Sequence, residues 1–151
     1  MPVARRSKKI AAAPEDVWAL VEDPHHMPRW WPDVKRMEDV GPDRWTQVFM
    51  TRKGRAVRAD YNLLESEPPG PGGDPPGRRV WEQEVVGTPF ERVLAQSVTE
   101  LQIEPSGSGS LVTLAQRQKL RGYSRTGGFL LRRATRDKLS QALEGIDRAV
   151  G

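Results

Sequence analysis

Apolar and polar residues alternate along most of the chain between residues 33 and 120, and turn residues interrupt the alternation at intervals. A period of two is typical of strands that bury one face, so the pattern predicts consecutive antiparallel strands arranged as a meander. Together with an opening strand, the predicted strands are seven: Val3–Ile10, Asp33–Val40, Arg44–Met50, Arg55–Glu65, Arg79–Val86, Arg92–Glu104 and Ser110–Arg121.

The period changes to that of a helix in the last part of the chain, from Phe129 to Val150. One face of this helix carries Leu131, Thr135, Leu139, Ala142, Leu143, Ile146 and Val150, whereas the opposite face is charged or polar. The pattern predicts a long amphipathic helix that packs against the sheet.

A short helix is predicted directly after the first strand. Pro14 suits the first helical position, the acidic pair that follows it complements the positive helix end, and apolar residues recur at helical spacing up to Val21. The helix should end before Pro24, and a second short helix or turn should carry Trp30 and Trp31.

The segment from Ala13 to Pro32 reads Ala-Pro-Glu-Asp-Val-Trp-Ala-Leu-Val-Glu-Asp-Pro and then His-His-Met-Pro-Arg-Trp-Trp-Pro. In this position it resembles the SRPBCC (START-like, helix-grip) superfamily, and within it the polyketide cyclase/dehydrase and lipid-transport branch. The resemblance implies an α+β helix-grip fold, in which a curved seven-stranded antiparallel sheet wraps around a long C-terminal helix and two short helices follow the first strand. It also implies an apolar cavity between sheet and helix, and we expect a single domain over residues 1–151.

Length and composition agree with one domain that has a small or partly hollow core. The chain has 151 residues, of which 36% are hydrophobic, and its mean hydropathy is −0.65. The absence of cysteine excludes disulfides, thiolate catalysis and a cysteine-based zinc site. The N-terminus lacks the apolar core of a signal peptide, so we expect the protein to be cytoplasmic.

One low-complexity segment, Pro68 to Gly77, is rich in proline and glycine. Proline lacks the N–H that a strand ladder needs, so the segment predicts a mobile hairpin loop inserted into one sheet. A domain boundary is the alternative, but the chain on either side has too few apolar residues to fold alone.

The inner faces of the predicted strands, assigned by alternation, supply most of the candidate ligand-binding residues. These are Trp45, Phe49, Tyr61, Trp81, Gln83, Ser97, Thr99, Gln116 and Gln118, and the same alternation turns Val93 and Ala95 inward. Amides and hydroxyls on an inner face predict a hollow interior that holds water or a polar ligand, because buried polar groups need partners. A bulge that turns some glutamines outward is the alternative.

Three further candidates come from the helices. The resemblance implies that the tryptophan of the second short helix lies near the cavity mouth, and either Trp30 or Trp31 can fill this position. Arg132, at the edge of the apolar stripe of the long helix, is the charged group that we expect to reach the cavity and bind a ligand carboxylate. Snorkelling of its side chain to solvent is the alternative.

Other polar residues give no catalytic or metal site. His25 and His26 are the only histidines and, being adjacent, cannot both bind one metal ion from a helix or a strand, so we expect no metal and no cofactor. Alternation places the charged strand residues, including Asp60, Glu84 and Glu100, on the outer face as ion pairs. No catalytic residue is therefore identified.

The charge is basic but scattered, with a formal net charge of +4, 24 basic against 20 acidic side chains, and a pI near 9.8. Basic residues concentrate near the two ends of the chain: Arg5, Arg6, Lys8, Lys9, Arg125, Arg132, Arg133 and Arg136. If the ends meet, this positive rim predicts weak contact with an anionic membrane. No nucleic acid is expected as a partner, because no RNA-binding motif or recognition helix is present.

These observations favour binding or transport of a small hydrophobic ligand, lipid-like or polyketide-like, without covalent chemistry. An aromatase/cyclase-like enzyme with the same cavity is one alternative, and a protein-interaction module with a collapsed interior is another. An acid or base held inside the cavity would favour the enzyme, whereas a lining of glutamines, hydroxyls and rings would favour the carrier.

Overall fold

The fold comes from a computed structural model that describes residues 3–122 and 125–151, with side chains outside the description at residues 125 and 126. Seven strands form one antiparallel sheet in the order β1-β7-β6-β5-β4-β3-β2. They are β1 Val3–Ile10, β2 Val34–Glu38, β3 Arg44–Met50, β4 Ala56–Glu67, β5 Gly77–Gln83, β6 Leu94–Ser106 and β7 Gly109–Leu120. The α-helices are α1 Pro14–Val21, α2 Met27–Trp30 and α3 Arg125–Val150. The predicted helix-grip fold is confirmed.

Local sequence explains why the first two helices are short. Pro14 occupies the first turn of α1, and the Glu22 N–H closes the helix on the Trp18 carbonyl. Asp23 then starts a single 3-10 turn, where its carboxylate accepts a hydrogen bond from the His25 N–H at 2.9 Å. Helix α2 ends at Trp30, because the backbone of Trp31 is extended.

Helix α3 lies against the concave face of the sheet and beside β1. Its buried side chains include Thr135, Leu139, Ala142, Leu143 and Ile146, as the helical period predicts. Lys8 of β1 pairs with Asp147 of α3 at 3.9 Å, so the two ends of the chain lie together, although the side chain of Arg125 falls outside the described residues. Within residues 3–122 and 125–151, no helix is both long and apolar enough to cross a membrane.

A register shift between Leu94 and Gln96 changes which residues at the start of β6 face inward, compared with the prediction from alternation. Before this bulge Leu94 is buried, while Val93 is 36% exposed, so the expectation that Val93 and Ala95 face inward is wrong. The extra residue reverses the parity once, because side chains in a strand alternate strictly between faces. After the bulge, Ser97, Thr99 and Leu101 are buried as predicted.

The proline- and glycine-rich segment is a hairpin loop within one sheet, as predicted, and part of it packs onto the domain. Strands β4 and β5 pair on either side of it, and the Gly70 N–H donates to the Pro75 carbonyl at 2.9 Å. Gly73 is buried, and a Cβ there would lie 3.0–3.1 Å from atoms of Pro105 and Pro14. The segment therefore packs between α1 and β6.

Candidate ligand-binding site

A pocket of about 430 Å³ lies between the concave face of the sheet and α3, and we call it the sheet–helix pocket. Its apolar and aromatic lining consists of Trp31, Phe49, Met50, Val57, Ala59, Tyr61, Phe90, Leu94 and Leu131. Its polar lining consists of Asp33, Thr51, Gln83, Ser97, Gln116, Gln118 and Lys138. This volume and this mixture of residues are usual for a site that takes a small organic molecule, since such pockets measure about 300–1,000 Å³.

The structure brings together many of the side chains that the sequence marked as candidates. Those that line the sheet–helix pocket are Trp31, Phe49, Tyr61, Gln83, Ser97, Gln116 and Gln118. Those that lie outside its lining are Trp30, Trp45, Trp81, Thr99 and Arg132. Of the two adjacent tryptophans, Trp31 is therefore the one that contacts the pocket.

A cluster of indoles accounts for the tryptophans that are not in the lining. The ring centre of Trp81 lies 6.3 Å from that of Trp31 and 6.4 Å from that of Trp45. Trp30 meets Trp31 edge to face at 5.6 Å. All four rings are buried, so they fill part of the interior with solid core and leave the rest as the sheet–helix pocket.

A chain of hydrogen bonds links two of the inward glutamines, Gln116 and Gln118, to Thr99 and to α3. The Thr135 hydroxyl of α3 has two acceptors for its one proton, the Leu131 carbonyl at 2.9 Å and Gln118 Oε1 at 3.2 Å. Gln118 Nε2 donates to Gln116 Oε1 at 3.3 Å. Gln116 Nε2 then donates to Thr99 Oγ1 at 2.9 Å. Both glutamines face the pocket, and Thr99 supports them from within the sheet.

Other polar groups of the lining have no protein partner. Gln83 Nε2 is buried without a hydrogen bond, and the Tyr61 hydroxyl and the Ser97 hydroxyl have no partner among the described residues. The Tyr61 ring stacks on Trp45 with centres 6.2 Å apart and planes at 11°. Burial, with a smaller contribution from the Asp60 carboxylate, raises the pKa of Tyr61 well above its ordinary value. Its hydroxyl therefore remains a neutral hydrogen-bond donor.

Two charged residues line the pocket, and neither is the arginine that we expected. Asp33, at a backbone φ of +66°, and Lys138 on α3 are both exposed at its edge. Leu131, Thr135 and Lys138 follow helical spacing, so the neighbouring Arg132 points outward and is exposed.

Sequence reasoning missed Arg79, which is the most deeply buried charged side chain among the described residues, at 5% exposure. Arg79 lies two residues before Trp81 and four before Gln83 on β5, so all three side chains are on the same, inner face of the strand. This alternation could have identified Arg79 from the sequence. Arg79 Nη1 donates to Ser66 Oγ at 2.9 Å, and its guanidinium lies 5.6 Å from the ring centre of Trp45. Burial lowers the pKa of Arg79, and the carboxylates of Glu22 and Asp23 oppose this shift.

The profile of the family described as polyketide cyclase / dehydrase and lipid transport matches residues 1–151. No curated protein matches the chain in sequence. Among solved structures, a START superfamily protein from Mycobacterium smegmatis is 12% identical with a TM-score of 0.74, over 98% of this chain and 96% of that one.

Two di-domain ARO/CYC proteins also have similar structures. The di-domain ARO/CYC BexL from the BE-7585A biosynthetic pathway is 21% identical with a TM-score of 0.74, over 98% of this chain and 46% of that one. The di-domain ARO/CYC StfQ from the steffimycin biosynthetic pathway is 15% identical with a TM-score of 0.75, over 98% of this chain and 50% of that one. At these identities the likeness concerns the fold, and the match of the family profile over residues 1–151 shows that this chain belongs to the polyketide cyclase/dehydrase and lipid transport family.

Proposed function

We propose that this protein binds or carries a small hydrophobic ligand, lipid-like or polyketide-like, in the sheet–helix pocket. The observation that carries the proposal is an apolar, aromatic wall that also holds the buried, unpartnered Gln83 Nε2. The hydroxyls of Tyr61 and Ser97 in the same lining likewise have no hydrogen-bond partner within the part of the chain that the structure describes. An apolar body would bury itself against the wall, and carbonyl or hydroxyl oxygens of the ligand would accept from the donors. The open volume of the pocket argues against a protein-interaction module with a collapsed interior.

A pair of neighbouring positions on α3 gives a direct test. Leu131 lines the pocket, whereas Leu130 is 58% exposed and lies outside the lining. Leu131→Trp should fill the pocket and weaken binding of the neutral dye phenylnaphthylamine at least about tenfold, because the added ring occupies ligand space. Leu130→Trp is the matched control and should bind the dye as the wild type does. Fluorescence titration measures both, with circular dichroism to verify folding.

The proposal fails if the wild type shows no saturable dye binding or if Leu131→Trp binds as tightly as Leu130→Trp. Native mass spectrometry of gently purified protein adds the chemical identity of the ligand. A bound mass that disappears in Leu131→Trp and persists in Leu130→Trp is the expected result.

The Tyr61 hydroxyl is expected to select ligands that carry a carbonyl oxygen. Tyr61→Phe removes this donor and keeps a ring to stack on Trp45. One hydrogen bond contributes about 0.5–1.5 kcal/mol, so affinity for prodan, a naphthalene dye with a ketone, should fall about two- to tenfold. Affinity for phenylnaphthylamine, which carries no oxygen, should remain within about twofold. An equal loss for both dyes would contradict a hydrogen bond from Tyr61.

The presence of Asp33 and Lys138 in the lining favours a second candidate, an aromatase/cyclase-like enzyme. Such an enzyme would hold a poly-β-ketone in the pocket and use one positioned acid or base to move a proton. It predicts faster cyclisation of a short poly-β-ketone with the protein than without it, and a loss of this rate in Asp33→Asn or Lys138→Gln with dye affinity retained. A carrier predicts that the ketone is recovered uncyclised, as measured by liquid chromatography and mass spectrometry.

A further inference from the structure

Arg79 lines a second depression of the surface, which shares no lining residue with the sheet–helix pocket. We call it the Arg79 groove: a space of about 660 Å³ around Arg79, bordered by Glu22, Asp23, Val40, Leu63 and Ser66. It lies between the turn that follows α1, the connection from β2 to β3, and the far end of β4. Strands β4 and β5 contribute to both sites, but they do so with different residues.

The guanidinium of Arg79 is buried without a counter-ion. Arginine is rarely buried unless it is paired, because removing its charge from water is costly. Among the described residues, no carboxylate lies within the 4.0 Å limit of an ion pair with Arg79. One of its five N–H groups donates to Ser66, and the Trp45 ring faces the cation.

The acidic side chains at the groove, Glu22 and Asp23, do not pair with Arg79. Asp23 Oδ1 accepts from the His25 N–H at 2.9 Å and lies 2.8 Å from His25 Nδ1. Glu22 is exposed at the rim of the groove. Ser66 Oγ is therefore the one hydrogen-bond acceptor of the Arg79 guanidinium among the described residues, and Arg79 itself lines the groove.

We infer that the Arg79 groove is a binding site for a monocarboxylate with an apolar body. A carboxylate matches the fork of a guanidinium and would supply the missing counter-ion through two charge-assisted hydrogen bonds. Val40 and Leu63 provide an apolar wall beside it. The acidic rim formed by Glu22 and Asp23 repels ligands with more than one negative charge, so a phosphate ester should bind less well than a carboxylate.

Calorimetric titration with three naphthalene probes tests this assignment. Naphthoate should bind the wild type, naphthyl phosphate should bind at least about threefold more weakly, and neutral naphthamide should bind at least about tenfold more weakly. Arg79→Gln should weaken naphthoate at least about tenfold. Because Arg79→Gln removes a buried contact with Trp45, Ser66→Trp provides a second variant: it covers the guanidinium from an exposed strand position and should have the same effect.

Two controls separate this groove from the sheet–helix pocket. Leu64→Trp, at another exposed position of β4 that lies outside the groove lining, should leave naphthoate binding unchanged. Leu131→Trp fills the sheet–helix pocket and should also leave naphthoate binding unchanged, even if the proposed function is wrong. The inference is overturned if naphthoate binds Arg79→Gln and Ser66→Trp as it binds the wild type, if Leu131→Trp abolishes its binding, or if naphthyl phosphate binds more tightly than naphthoate.

Discussion

Trp81→Ala should lower the free energy of unfolding by about 3–5 kcal/mol, which is a large part of the total of about 5–15 kcal/mol for a typical domain. Trp81 is 2% exposed on β5, the middle strand of the sheet. Its ring contacts those of Trp31 and Trp45. These large, rigid neighbours cannot collapse into the space that alanine would leave, so the cost of a cavity adds to the loss of buried surface.

Chemical denaturation monitored by circular dichroism measures this loss. Phe129→Ala is the matched control, because this ring is 51% exposed near the start of α3. Its removal should change the free energy of unfolding by less than about 0.5 kcal/mol. If Trp81→Ala were as mild as Phe129→Ala, the indole cluster would not be the structural core of this domain.

Gly145→Ala should lower the free energy of unfolding by at least about 2 kcal/mol, although alanine is the better helix former. A Cβ at position 145 would lie 2.3 Å from the carbonyl oxygen of Trp30 and 2.8 Å from its Cα. Both atoms belong to backbone, and Trp30 is buried, so α2 cannot move away without opening the core. Glycine is required here because two helices approach each other at the level of their backbones.

Gly128→Ala, in the same helix, should change the free energy of unfolding in the opposite direction. Among the described atoms, a Cβ at this position would meet only Leu120 Cδ1, at 3.9 Å. The substitution should therefore stabilise the protein by up to about 1 kcal/mol through helix propensity alone. A stabilising Gly145→Ala would contradict the close contact between α2 and α3. Thermal denaturation of Gly145→Ala, Gly128→Ala and the wild type measures both changes in stability.

The sheet was predictable because a strand that buries one face alternates along its whole length, and bounds such as those of β1 and β3 follow from this period. The alternation failed at Leu94, where a bulge adds one residue. The sequence carries no glycine or proline at this point to mark the shift. A bulge is selected by packing against neighbouring strands, so only the pairing of β6 with β7 made it visible.

The candidate site was predicted in part. Inner-face parity correctly grouped Tyr61, Gln83 and Gln116, because these positions depend only on the period of single strands. Arg132 was misplaced because a small error in the phase of a helix moves a side chain from the pocket edge into solvent. Asp33 was missed because its loop conformation, with positive φ, follows no period.

Local patterns in the chain were sufficient for the order of its elements, the seven strands, the short helix that begins at Pro14 and the long closing helix. They also carried the family, since its profile matches the chain from end to end. Which part of the interior is solid and which is open was decided by tertiary packing, where four indoles cluster and one of them, Trp31, borders the sheet–helix pocket. The same packing buried Arg79 against Trp45. Periodicity assigns a side chain to a face, but the space around it depends on residues that are distant in sequence.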